Sequence, residues 1–81
     1  MREGLLWFDN DQRRTPQDKL DQAGARYLER FGRSANVCHV NPGELFVHPS
    51  IRVLPNRAVL KGHFWVGRDE EPSSKARRKT A

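Results

Sequence analysis

The chain has 81 residues, of which 36% are hydrophobic and 31% are charged, and its formal net charge is +5. This length suits one domain with a thin core, and no apolar run approaches the roughly 18 residues that a membrane-spanning helix needs. Cys38 is the single cysteine, which excludes an internal disulfide and favours a reducing, cytoplasmic setting.

The first predicted elements are a strand and a helix. Residues 4–8, GLLWF, form a short apolar run before a polar segment, which predicts a buried strand. Thr15 followed by Pro16 is typical of a helix start, and Gly32 is typical of a helix end. We therefore expect a helix over residues 16–31.

This helix is predicted to be amphipathic. At about 100° per residue, one stripe of its surface is apolar and must bury against another element. The stripe consists of Leu20, Ala23, Tyr27 and Phe31. A neighbouring flank is basic, and it carries Lys19, Arg26 and Arg30.

The rest of the chain predicts short strands separated by turns. Residues 36–40, NVCHV, enter a turn at Asn41, and the alternation in IRVLP, residues 51–55, is typical of a strand. RAVL, residues 57–60, is a candidate for one further short strand. In the last strand, HFWVG, alternation should place Phe64 and Val66 on one face and His63 and Trp65 on the other.

These elements predict an α+β fold, with one amphipathic helix on one face of a small mixed sheet and the order β-α-β-β-β. If the first two strands pair in parallel, the helix makes a right-handed crossover between them, and the remaining strands form an antiparallel meander. Residues 1–68 are expected to form the compact domain. Residues 69–81, DEEPSSKARRKTA, are expected to be a flexible charged tail because they lack aromatic and large aliphatic residues.

The cysteine and the three histidines are the candidate ligands of a metal, but no pair of them has the spacing of a zinc site. Cys38 and His39 are adjacent, so on a strand they point to opposite faces. Pairing of Cys38 with His48 or His63, oriented by Glu44, would suit nucleophilic catalysis. A cysteine between two valines in a strand indicates a buried core position instead. We therefore expect no enzyme activity, no catalytic residues, no metal and no cofactor.

Two aromatic pairs, Trp7-Phe8 and Phe64-Trp65, lie within predicted strands, so one ring of each pair should face the helix. If both tryptophans point outward, they form an exposed patch near Arg52, Arg57 and Lys61. Such a patch would suit single-stranded nucleic acid or a protein partner equally. The alternative is that all four rings complete a thin core.

The basic residues provide the second argument for an anionic partner. The hypothesis of a nucleic-acid site includes Arg13, Arg14, Lys19, Arg26, Arg30, Arg33, Arg52, Arg57, Lys61 and Trp65. The alternative is that the basic helix flank is an ordinary solvated surface.

The sequence thus favours a small, intracellular, non-enzymatic binding module that associates with nucleic acid. The alternative is a protein-interaction subunit, adaptor or small inhibitor that works through a sheet edge or an exposed tryptophan patch. A homodimer is compatible with this alternative, and no membrane partner is expected. The directions in which Trp7 and Trp65 point decide how much of a binding surface the sheet offers.

Overall fold

The computed structural model describes residues 4–69, which form one helix and a four-stranded mixed sheet. The elements in chain order are β1 (Gly4–Phe8), α1 (Pro16–Phe31), β2 (Val37–Val40), a 3-10 turn (Pro42–Glu44), β3 (Arg52–Pro55) and β4 (His63–Gly67). The predicted α+β class, with one helix against one face of a mixed sheet, is confirmed. The predicted tail lies outside the described residues except for Asp69, whose N–H donates to Asn36 Oδ1 at 2.9 Å.

Both ends of α1 are set by local chemistry. The Thr15 hydroxyl accepts a hydrogen bond from the Asp18 N–H at 3.1 Å, which satisfies one of the unpaired amides of the first turn. At the other end Gly32 adopts φ 74°, a left-handed conformation that costs glycine little, and its N–H donates to the Leu28 carbonyl at 2.8 Å. The predicted bounds of the helix, residues 16–31, are confirmed.

The strand order in the sheet is β1-β4-β2-β3. β4 lies between β1 and β2 and is antiparallel to both, whereas β3 pairs with β2 in parallel. The arrangement considered from the sequence, in which the first two strands would pair in parallel before an antiparallel meander, does not occur, because β4 lies between β1 and β2. The interior position suits β4 because it supplies Phe64 and Val66, which are 6% and 0% exposed, to the centre of the core.

The helix covers one face of this sheet. A row of four inward residues crosses the strands in register, namely Leu5, Val66, Cys38 and Val53. From the helix, Leu20, Ala23 and Tyr27 pack onto this face and are almost fully buried. Every inward position of the row is apolar or a thiol, so the hydrophobic effect fixes which face meets α1.

The two connections on either side of β3 do not form strands. The RAVL segment forms a turn and not a strand, because the Asn56 side chain accepts a hydrogen bond from the Ala58 N–H at 2.9 Å and bends the backbone. Residues 45–51 form a loop between the 3-10 turn and β3, and the Phe46 ring packs edge-on against the Phe64 ring with 6.0 Å between centroids. Between residues 4 and 69 there is no helix with the length and hydropathy that a membrane span requires.

Candidate nucleic-acid interface

No helix of residues 4–69 packs on the side of the sheet opposite α1, and we call this side the open face, although Val37 on this side is 1% exposed and the β3–β4 connection borders it. Its strand residues alternate with those of the core. One outward row crosses all four strands in register and consists of Leu6, Trp65, His39 and Leu54. Phe8 and His63 form a second outward pair beside this row.

The outward rings are held against glycines. A β-carbon built on Gly4 would lie 2.6 Å from Trp65 Nε1, so the indole occupies the space that a side chain would fill. A β-carbon on Gly62 would similarly lie 3.1 Å from Phe8 Cε1. The Phe8 ring also packs on the His63 imidazole with 4.7 Å between ring centroids. These contacts fix both aromatic rings on the open face.

The open face exposes much apolar surface. Leu6 is 53% exposed, Phe8 56% and Trp65 37%. The predicted strand over residues 4–8 is confirmed, but the expectation that it is buried is wrong, because β1 is an edge strand with only its inward side covered. Exposed aromatic and aliphatic side chains that are neighbours on one surface are typical of an interaction site.

The two tryptophans point in opposite directions. Trp65 faces outward, whereas Trp7 packs against the core, with the Arg26 guanidinium 5.9 Å from its ring centroid. The prediction that both tryptophans point outward is therefore wrong. The alternative prediction, that all four rings of the two aromatic pairs are buried, is wrong as well. The outward-facing aromatic set is Phe8, His63 and Trp65, of which His63 is half-buried. Trp7 Nε1 is a buried donor without a hydrogen-bond partner in the described part of the chain.

None of the four strands contains an aspartate or a glutamate. The cations of this side lie at its margins, where Arg52 projects from β3 and Arg57 and Lys61 are exposed in the β3–β4 connection. Arg52 is 3.5 Å from the Asp69 carboxylate in a largely exposed ion pair, which leaves the guanidinium accessible. The aromatic side chains of the open face thus have cations near its border, of which Arg52 is paired with Asp69.

The basic residues of the helix lie on the other side of the molecule. Arg26 and Arg30 stack over the rings of Trp7 and Phe31, with 5.9 Å and 5.6 Å from guanidinium carbon to ring centroid. Arg33 is exposed just after the helix. The predicted set of ten site residues is thus divided between two surfaces, with Trp65 and Arg52 on the open face and the helix cations away from it.

The two arginines before the helix are engaged with acidic neighbours. Arg14 donates to the Asp9 carboxylate at 2.8 Å and is half-buried there. Arg13 donates hydrogen bonds to the Asp11 carboxylate through its backbone N–H and its side chain, and these hydrogen bonds hold the pKa of Asp11 below its ordinary value.

Lys19 lies at a cavity of about 520 Å³ between the start of α1 and the strand ends, where Lys61, Phe8 and His63 also line the wall.

A second cavity, of about 390 Å³, opens on the open face. It is lined by His39, Asn56, Ala58, Val59 and Trp65. Burial lowers the pKa of His39, so its imidazole is neutral at pH 7. Sequence reasoning missed this pocket because His39 and Asn56 are 17 residues apart and meet only through the strand register.

The cysteine and the other histidines do not converge. Cys38 is fully buried in the core, as predicted, and burial raises the pKa of its thiol to about 12. The His48 imidazole lies beside α1, where its Nε2 is hydrogen-bonded to the Asp21 carboxylate at 2.7 Å. Residues 4–69 contain no group of three or more cysteine, histidine or acidic side chains that would hold a metal ion.

No protein family, curated protein sequence or solved structure matches this chain.

Proposed function

We propose that this protein binds single-stranded nucleic acid on its open face. The observation that carries the proposal is that Phe8, His63 and Trp65 face outward together from strands that contain no acidic residue. Bases stack on these rings, and the phosphates lie against the cations at the margins of the face. Base stacking on aromatic side chains contributes about 1–3 kcal/mol per base and tolerates any sequence.

The spacing along β4 supports this mode of binding. His63 and Trp65 are two residues apart on one strand, which places their side chains about 7 Å from each other on the same face. This distance allows successive bases of an extended single strand to contact separate rings. A double helix keeps its bases stacked on each other, so it gains nothing from such a platform.

The charge on the face predicts a moderate salt dependence. If Arg52, Arg57 and Lys61 each contact one phosphate, the slope of log K against log salt is about −2 for a single strand. If the helix cations and the arginines before the helix contributed as well, the slope would be about −6. The measured slope therefore distinguishes the open face from the basic helix flank as the binding surface.

The test is fluorescence anisotropy with a labelled oligothymidylate at several salt concentrations. Trp65→Ala and Phe8→Ala should each weaken binding about tenfold, because each removes one stacking surface. Leu28→Ala is the matched control, since Leu28 is 47% exposed on the helix and should have no effect. Absence of binding at low salt would disprove the proposal. Equal losses for Leu28→Ala and the two ring variants would do the same.

A protein partner is the second candidate, and the edge position of β1 favours it. β1 pairs with β4 on one side, and its Leu6 and Phe8 side chains are more than half exposed. A strand of a second copy or another protein can add to such an edge. Leu6→Lys would then abolish a salt-insensitive association seen by sedimentation. Leu60→Lys, at a 68% exposed position in the β3–β4 connection, is the control.

A further inference from the structure

The cavity of about 520 Å³ lies at one end of the open face, where β1 and β2 end and β4 begins. Phe8 on β1 and His63 on β4 face outward as a pair, and both also line this cavity. The open face and the cavity therefore share a wall. A nucleotide that follows a base stacked on these two rings consequently lies at the cavity.

Part of the cavity wall is aromatic. The Phe46 and Phe64 rings line it and pack edge-on, with 6.0 Å between their centroids. Phe8 and His63 add a second pair of rings, with 4.7 Å between their centroids. The volume is within the range of about 300–1,000 Å³ that is typical of small-molecule sites, which also combine apolar walls with a few polar groups. A planar base therefore suits the chemistry of this wall.

Two lysines line the same cavity, and neither forms an ion pair within the described part of the chain. Lys19, near the start of α1, is half-buried, and its ammonium makes no hydrogen bond with residues 4–69. Lys61, in the β3–β4 connection, runs past Gly43, where its Cε lies 3.6 Å from the position of a β-carbon. A half-buried ammonium without a partner has lost part of its hydration, so an anion in the cavity stabilises it.

The acidic residues of the wall leave the balance of charge positive. Asp9 accepts hydrogen bonds from Arg14 Nη1 at 2.8 Å and from the Asp11 N–H at 2.9 Å, so its charge is neutralised locally. Glu44 is the other carboxylate among the described lining residues, and its Oε1 accepts from the Gly62 N–H at 2.7 Å. Two lysine charges consequently face one carboxylate that has no cationic partner, which suits the cavity to an anion.

We infer that this cavity binds a nucleotide through its terminal phosphate, with the base against the aromatic wall and the phosphate at Lys19 and Lys61. A terminal phosphate carries a charge of about −1.5 to −2 at pH 7, whereas a phosphate within a strand carries a single negative charge. The extra charge favours the end of a strand over its interior. The nucleotide is the end of a bound strand or a free mononucleotide, and the first of these rests on the proposed function.

The first test compares oligothymidylates of equal length that carry a 5′-phosphate, a 3′-phosphate or hydroxyls at both ends. One of the phosphorylated forms should bind about tenfold more tightly than the hydroxyl-ended form, because a hydrogen bond between charged groups contributes about this much. Anisotropy titrations at constant salt measure all three. The free nucleotide is tested by calorimetry, which compares thymidine 5′-monophosphate with thymidine.

Three variants locate the phosphate. Lys19→Gln removes one positive charge from the cavity and should reduce the preference for the phosphate to less than about twofold. Arg30→Gln is the matched control, because it removes a charge from the same helix about 16 Å further along the axis, and it should preserve the preference. Glu44→Gln keeps an oxygen that accepts from the Gly62 N–H and removes the negative charge, so it should increase the preference severalfold.

The outcomes separate the two sources of the phosphate. A preference among the oligonucleotides without binding of the free monophosphate assigns the strand end, and the reverse result assigns the free mononucleotide. No effect of the phosphate in either experiment, while all oligonucleotides bind equally, would overturn the inference alone. Binding of the monophosphate over thymidine, without binding of any oligonucleotide, would overturn the proposed function alone. A phosphate preference that Lys19→Gln leaves unchanged would show that the phosphate binds outside this cavity.

Discussion

The indole of Trp65 lies across Gly4, so close that a β-carbon at position 4 would be 2.6 Å from Nε1 and 2.9 Å from Cε2 of the ring. Glycine is therefore required at the start of β1 to leave room for the indole. A side chain at position 4 would push the indole off the sheet and expose more of the ring to solvent.

Gly4→Ala should displace the Trp65 ring and weaken oligonucleotide binding severalfold. Tryptophan emission reports the displacement when Trp7→Phe leaves Trp65 as the sole fluorophore. In that background Gly4→Ala should increase quenching by iodide. In a Trp65→Phe background, where Trp7 reports from the core, the same change should have little effect. An unchanged Trp65 signal would contradict the described contact.

Leu20→Ala should reduce the free energy of unfolding by about 2–5 kcal/mol, because Leu20 is fully buried between helix and sheet. Leu28→Ala, about two turns further along the same helix at an exposed position, should change it by less than about 0.5 kcal/mol. Urea titration followed by circular dichroism measures both. Similar losses for the two variants would show that α1 packs through a different face.

His48→Ala should lower the free energy of unfolding by about 1–3 kcal/mol. The His48 side chain is 3% exposed, and its Nδ1 accepts hydrogen bonds from the Ser50 and Ile51 N–H groups, both at 3.1 Å. The variant leaves these two amides without an acceptor, so their hydrogen exchange should accelerate. Val47→Ala, at a position that is 83% exposed, is the control and should leave exchange unchanged.

The buried thiol predicts a loss of stability in alkali. Burial raises the pKa of Cys38 from 9.0 to about 12, so between these values the unfolded chain releases a proton that the folded chain retains. This contribution is complete below pH 9 and is lost as pH rises, by about 1.4 kcal/mol per pH unit. The difference in free energy of unfolding between the unmodified protein and Cys38→Ala should therefore shrink from pH 9 to pH 11. Rapid alkylation of Cys38 at pH 8 would contradict its burial.

The helix could be predicted to the residue because its bounds depend on neighbours in the chain. The Thr15 hydroxyl reaches an amide three residues away, and Gly32 needs no distant contact for its left-handed conformation. Such signals are contained in a short window of sequence. The apolar stripe of the helix is equally local, since it depends on a fixed rotation per residue.

The strand order could not be predicted in the same way, because it depends on pairs of residues far apart in the chain. The apolar run GLLWF gave no indication that Leu6 and Phe8 lie on an edge strand with one side open. Alternation did predict correctly that Trp65 faces away from Phe64 and Val66. Leu6 and His39 are the neighbours of Trp65 on the adjacent strands. They could not be predicted, because the alternation of residues along one strand does not determine its register with another strand.

The interior place of β4 has a consequence for biosynthesis. β1 and β2 do not pair with each other and are joined through β4, which is the last strand of residues 4–69. A nascent chain that has been synthesised only through β3 can pair β2 with β3 but lacks the strand that joins β1 to them. The four-stranded sheet is therefore completed only after β4 has been synthesised.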